Sequence, residues 1–175
     1  MKLQPGDIYE GPITSFGHEG EQSRWIVISP FGKTHLHSID NPFHLHCMPL
    51  AIAEQAVDEG RLKLVEQDAN HPVMELQHEK ERLGISDSHL GLRGEQLKKM
   101  LTLMRDAAEE NRTYFPYAVG ELLSFVNIHQ NDTVRGYVFS EIESVMNNRS
   151  DLPGAIPAHL MAIPAVSPFD LYDVV

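Results

Sequence analysis

The sequence predicts an α+β protein: a small N-terminal β-sheet or barrel module with one helix, then a C-terminal helical subdomain and an extended, proline-rich arm. Short apolar segments bounded by turn residues fill the first third of the chain, whereas apolar positions recur at helical spacing in the middle. The last segment contains four prolines and no basic residue, which disfavours a long helix. The predicted boundaries are 1–66 for the β-rich module, 73–150 for the helical subdomain and 151–175 for the arm.

The β-rich module is predicted from short segments in which apolar and polar residues alternate, and from segments in which consecutive residues are apolar. Residues 24–28 are apolar on both faces, which is typical of a central, covered strand. Pro49 is expected to begin a helix that ends at Gly60. The strands are expected at 7–9, 24–28, 33–39, 43–48 and 61–65.

The helical subdomain is predicted from apolar residues spaced three and four apart. The strongest pattern lies in residues 94–111, where Leu97, Met100, Leu101, Met104 and Ala108 share one side of a helix. Asp132 is a good N-terminal cap for the last helix. The other helices are expected at 73–84, 117–126 and 132–147, with a turn at 127–131.

Composition restricts the classes of function. The chain has 14 basic and 25 acidic side chains and a net charge of −11. No third of its length carries a net positive charge. This charge disfavours direct binding to nucleic acid and favours a protein partner with a basic surface. One cysteine excludes an internal disulfide, and no apolar run is long enough to span a bilayer. We expect a cytoplasmic protein that does not bind membranes; homo-oligomers are compatible with the sequence.

Four histidines crowd the segment 35–47 and form the candidate metal site. If Asp40 and Asn41 form a two-residue hairpin turn, cross-strand pairing opposes His37 to His44 and His35 to His46. All four imidazoles would then share one face, where they could bind a transition metal such as zinc or respond to pH. The alternative is the solvated face of a half-buried hairpin, with no cofactor required. Cys47 would point to the opposite face, as a small buried apolar residue.

Catalytic signatures are missing from the sequence. His18-Glu19 and His78-Glu79 both lack the second histidine of a zinc-protease helix, and no phosphate-binding loop or nucleophile elbow occurs. No pair of carboxylates stands out as an acid and base. Enzymatic activity is therefore unsupported, and we assign no catalytic residue.

A nucleic-acid alternative comes from two helices joined by a short turn near residues 117–147, which resemble a helix-turn-helix in outline. The second helix carries Arg135 but also several acidic residues, which disfavours a groove lined by phosphates. A small β module is followed by a proline-started helix that ends in Asp58-Glu59-Gly60-Arg61-Leu62, and then by a helical domain. This order is loosely similar to N-terminal regions of some transposases. This resemblance covers about the first two thirds of the chain and transfers no residue role.

The C-terminal arm is the candidate partner-binding segment. It mixes aromatic, aliphatic and acidic side chains, which suits docking in an apolar groove with a basic rim or packing on its own domain. The function predicted from the sequence is a non-enzymatic, acidic protein-interaction module with a regulatory or inhibitory role. The alternatives are a metal-binding protein and a helix-turn-helix accessory factor. The partner-binding residues are predicted to be Phe169, Asp170, Leu171, Tyr172 and Asp173.

Overall fold

The computed structural model describes residues 3–13, 20–85, 94–128 and 131–148. It confirms the α+β class, with an antiparallel sheet followed by helices. The predicted arm, 151–175, and its five partner-binding residues lie outside the described residues. In chain order the elements are β1 (Asp7–Pro12), β2 (Gln22–Ile28), β3 (His35–Ser38), β4 (Cys47–Pro49), α1 (Leu50–Asp58), β5 (Lys63–Gln67), α2 (Pro72–Leu83), α3 (Glu95–Glu109), α4 (Phe115–Ile128) and α5 (Asp132–Asn148).

The sheet has the strand order β4-β3-β2-β1-β5, and every neighbouring pair is antiparallel. β2 lies at its centre, and residues 25–28 are all buried. Because successive side chains of a strand point to opposite faces, this run requires apolar cover on both sides of the sheet.

One face of the sheet is covered by α1. Its cluster is formed by Leu3, Tyr9, Ile13, Trp25, Val27, Leu36, Met48, Ala53, Ala56 and Leu62. The chain leaving α1 passes so close to β1 that a Cβ on Gly11 would lie 2.5 Å from the carbonyl oxygen of Arg61. Only glycine fits there, and the indole of Trp25 donates a hydrogen bond to the Gly11 carbonyl oxygen at 3.4 Å.

The opposite face is covered by the helical subdomain. Ile8, Ile26 and Ile28 of the sheet pack with Val73 and Met74 of α2. Tyr117 of α4 packs against the same cluster and donates a hydrogen bond to the Ile39 carbonyl oxygen at 2.9 Å. The sheet is therefore the middle layer between α1 and the helices.

The helices enclose a second, larger core. α4 lies at its centre, with residues 118–126 all buried among apolar side chains of α2, α3 and α5. The helices lie within two residues of their predicted positions, since their apolar spacing reflects this core. None of the described helices is both long and apolar enough to cross a membrane.

The predicted register between the two histidine strands is wrong. β3 and β4 pair His35 with Pro49, Leu36 with Met48 and His37 with Cys47. Residues 39–46 form the connection, and of the predicted strand 43–48 only the end is a strand.

Local hydrogen bonds explain why the tight turn does not form. The Asp40 carboxylate accepts hydrogen bonds from the backbone and side chain of Arg24 at 2.9 and 2.8 Å. The Asn41 side chain accepts from Phe43 N at 3.1 Å, as in an Asx turn. The Ser38 hydroxyl accepts from His46 N at 3.0 Å. These polar side chains compete with a hairpin ladder for the same backbone groups.

Gly120 sets the approach of α4 to the connection 39–46. A Cβ at this position would lie 1.6 Å from the carbonyl oxygen of Pro42. We therefore expect Gly120→Ala to lower the free energy of unfolding by about 3 kcal/mol or more, because loop and helix must separate. Urea denaturation of the variant and the wild type measures this change in the free energy of unfolding.

Gly136 provides the matched control, since a Cβ there meets nothing within 4 Å and the residue lies inside α5. Gly136→Ala should stabilise the protein by about 0.5–1 kcal/mol. Equal effects of the two substitutions would contradict the close approach at Gly120.

Candidate functional site

The structure separates the four histidines instead of gathering them on one face. His37 is 3% exposed, and its ring meets the edge of Tyr117 of α4 with centroids 6.3 Å apart. Ser38, the next residue of β3, points to the other face and lines a cavity with His44 and His46. His35 is half-buried at the start of β3, where Nδ1 lies 3.3 Å from the Lys33 carbonyl oxygen.

His44 and His46 both line this cavity, which has a volume of about 180 Å³. Their rings stack with centroids 5.1 Å apart and an interplanar angle of 12°. Glu21 and Asp40 also line the cavity, but Asp40 is engaged by Arg24 at 2.8 Å. Most residues that line the cavity are of polar types, and its volume is small compared with typical ligand pockets.

Among the described ranges, no group of three or more His, Cys, Asp or Glu side chains is placed to hold a metal ion. His44 and His46 are the pair that the structure brings together, whereas His37 lies on the other side of the sheet. Cys47 is the cross-strand partner of His37 and is partly exposed, whereas the sequence predicted a small buried apolar residue on the other face. Metal binding by the four histidines stays a prediction.

A buried polar cluster lies where the helices meet the sheet. Lys80 of α2 and Glu121 of α4 form an ion pair, with Nζ 2.9 Å from Oε2 and side chains only 5% and 2% exposed. The Gln77 amide donates to Glu121 Oε1 at 3.2 Å. Burying two charges costs several kcal/mol each unless they are paired, so this contact fixes the relative position of α2 and α4.

His37 faces this cluster from the sheet. Its Nδ1 bonds to the Ser38 carbonyl oxygen, while Nε2 is buried and has no hydrogen-bond partner in the part of the chain that the structure describes. Burial lowers the pKa of His37 to about 4, although the negative charge of Glu121 favours the proton. His35 and Lys80 act in the same direction as burial. His37 is therefore neutral at pH 7.

His71 is the second histidine at the sheet–helix interface. Its Nδ1 caps α2 by accepting a hydrogen bond from Val73 N at 3.1 Å. Its ring contacts the edge of Tyr117 with centroids 5.7 Å apart. Burial lowers its pKa, and protonation at Nδ1 would remove the cap.

The outer surface of α1 is acidic with an exposed apolar residue. Ile52 is 45% exposed, and Ala51, Glu54, Gln55 and Asp58 are exposed with it. The helix contains no Lys or Arg. Among the described residues, neither Glu54 nor Asp58 forms an ion pair, and both carboxylates are open to a partner.

The two helices of the predicted helix-turn-helix are present as α4 and α5. Their geometry is that of a packed bundle, because residues 118–126 of α4 are all buried and Arg105 of α3 forms an ion pair with Glu141 of α5. The Arg135 side chain is 14% exposed and lies 3.4 Å from Asp132. These observations do not favour α5 as a DNA-reading helix.

A cavity of about 460 Å³ lies between α2 and α3. Its charged side chains are largely paired with each other: Arg82 with Glu79 at 2.7 Å and Arg112 with Glu110 at 2.8 Å. Such internally neutralised pairs resemble an ordinary solvated surface and not a catalytic centre.

The chain matches no protein-family model, and comparisons with curated proteins and with solved structures gave no significant match.

Sequence reasoning missed the buried cluster. The signal was present at Glu121, which is the one charged residue in the apolar segment Tyr117-Ala118-Val119-Gly120-Glu121-Leu122-Leu123. A single carboxylate within an otherwise apolar helical segment indicates a buried partner of opposite charge. Gly120 beside it is the corresponding signal for close backbone approach.

Acidification should destabilise the protein through His37. The folded-state pKa is about 4 against an ordinary value of 6.5, so the unfolded chain takes up the proton first as the pH falls. The His37 contribution therefore declines by about 3 kcal/mol as the pH falls from about 7.5 to about 3, and it levels off only below the folded-state pKa.

Urea denaturation across this range measures the loss, and His37→Gln should reduce the slope against pH. His78→Gln is the control, since His78 is exposed on α2. A wild-type slope in the His37 variant would contradict the assignment.

Removing one member of the buried ion pair should cost more than removing both. Glu121→Leu leaves Lys80 charged and buried, and we expect a loss of about 3–5 kcal/mol in the free energy of unfolding. The double variant Lys80→Met/Glu121→Leu should recover most of that loss in urea denaturation. A double variant as unstable as the sum of both single variants would show that the pair is not coupled.

Proposed function

We propose that the protein is a non-enzymatic interaction module that binds a partner protein with a basic surface, and that α1 provides the main contact. The single observation that supports this best is the outer surface of α1, where the exposed Ile52 is accompanied by the open carboxylates of Glu54 and Asp58. A regulatory or inhibitory role follows from such binding, because a bound acidic surface occupies the basic site of its partner.

The position of the acidic residues supports a binding role for α1. Asp58 ends the helix and Glu59 follows it as the C-terminal cap. Negative charge at a helix C-terminus opposes the helix dipole, so these residues do not stabilise α1 through that dipole. The Gln55 amide and then Arg61 lower the pKa of Glu59, which keeps its carboxylate charged.

The apolar residue supplies the second part of the contact. An exposed helix can bind a groove through an apolar anchor, while charges around it select the partner and accelerate encounter. Ile52 would be that anchor, with Ala51 and Gln55 beside it. The predicted arm residues, Phe169 to Asp173, have the same mixture of apolar and acidic side chains and are proposed as a second contact.

Charge reversal on α1 tests the proposal. The double variant Glu54→Lys/Asp58→Lys should reduce partner capture from a lysate of the expressing cells by about tenfold, equivalent to about 1.4 kcal/mol. Captured proteins are quantified by mass spectrometry at low and high salt, since attraction to a basic surface weakens with salt.

The matched control carries the same change in charge elsewhere. Glu81→Lys/Glu109→Lys alters two exposed carboxylates on α2 and α3 and should capture the partner as the wild type does. Equal losses in both double variants would show a general effect of net charge. Retention of the wild type on duplex DNA at low salt would favour the helix-turn-helix alternative instead.

A further inference from the structure

The edge strand β5 forms a second exposed surface with apolar residues, separate from that of α1. It pairs with β1 at one end of the sheet, and all five of its residues are exposed. Leu64 and Val65 are 50% and 52% exposed, which is high for adjacent aliphatic residues. An edge strand also presents a row of unpaired backbone donors and acceptors, so it is a template for another strand.

An irregularity in β5 places two opposite charges on the same face. Lys63 pairs with Glu10 of β1 and Glu66 pairs with Ile8, while the register shifts between Ile8 and Tyr9. Ile8 and Glu10 are two residues apart and share a face of the sheet. Lys63 and Glu66 therefore also share that face, although a regular strand would place residues three apart on opposite faces.

We propose that β5 pairs with β5 of a second copy of this chain, in an antiparallel arrangement about a twofold axis between Leu64 and Val65. In this register Lys63 of each copy lies opposite Glu66 of the other, and each Leu64 lies opposite a Val65. A twofold axis normal to the sheet keeps every residue on its own face, so both Lys–Glu pairs form together. The result is an isologous dimer with a continuous sheet of ten strands.

Charge complementarity is the reason to choose a second copy as the occupant. The strand carries one positive and one negative side chain on one face. When a second copy runs antiparallel to the first, the positive side chain of each strand lies opposite the negative side chain of the other. Opposite charges directly across an antiparallel pair stabilise it, and like charges destabilise it. The net charge of −11 opposes association of two copies, so the dimer should be weak and concentration-dependent.

This proposal goes beyond the binding role of α1 and uses different residues. Loss of the dimer leaves the α1 contact testable, and failure of the α1 contact leaves the dimer unchanged. The two proposals can therefore fail separately.

Charge exchange at β5 provides the test, with the molar mass of the full chain measured by sedimentation velocity up to about 1 mM protein. The wild type should dimerise. Lys63→Glu or Glu66→Lys alone places like charges opposite each other twice and should weaken the dimer at least tenfold. The double variant Lys63→Glu/Glu66→Lys restores both pairs and should dimerise as the wild type does.

Mixing the two single variants sharpens the test. The Lys63→Glu variant has glutamate at both positions of β5 and the Glu66→Lys variant has lysine at both, so opposite charges meet twice when the two variants pair. The mixture should form a heterodimer although each component alone is monomeric. Circular dichroism checks that these exposed substitutions leave the fold intact.

Two results would overturn the proposal. A wild type that stays monomeric at every concentration would show that Lys63 and the bulge protect the edge from pairing. A dimer that is insensitive to both single variants would place the interface elsewhere, or pair β5 in another register.

Discussion

The close approach of α4 to the connection between β3 and β4 is the constraint on which the rest of the structure depends. Gly120 has no side chain to hold the helix away from Pro42, so α4 lies directly on this connection. The neighbouring residues are positioned as a consequence: Tyr117 reaches the Ile39 carbonyl oxygen, and the charge of Glu121 opposes the lowering of the His37 pKa by burial. The same contact between α4 and the sheet helps to supply the apolar cover that β2 requires on its second face.

The interface that results combines an apolar layer with a buried polar cluster. The isoleucines of the sheet and the apolar start of α2 provide the hydrophobic contribution. Lys80, Glu121 and Gln77 add contacts that are lost if α2 and α4 shift relative to each other. Buried charges are poor sources of net stability, but separating Lys80 from Glu121 would leave an unpaired buried charge, which disfavours other arrangements of α2 and α4.

Elements with strong periodicity could be predicted from sequence, and those defined by particular side-chain contacts could not. The helices were found because a large apolar core imposes helical spacing on α3 and α4. The histidine hairpin was misplaced because its register depends on Asp40 reaching back to Arg24 and on Ser38 accepting from His46 N. Such contacts join residues that periodicity does not relate, since a two-residue turn and a longer connection share the same alternation of apolar residues.

The candidate surfaces show the same division. The acidic character of the chain is visible in its composition, but the exposure of Ile52, Glu54 and Asp58 depends on which side of α1 meets the sheet. The shared face of Lys63 and Glu66 depends on a register shift that has no glycine or proline to mark it in β5.

The pairing of β1 with β5 has a consequence for how the chain folds as it is synthesised. Asp7 and Gln67 are partners in the sheet although sixty residues separate them along the chain. β1 leaves the ribosome before β5, its second neighbour in the sheet, which is made only after α1. The edge of β1 that pairs with β5 therefore stays unpaired until β5 has been made, and the entropy of closing that long loop slows this contact.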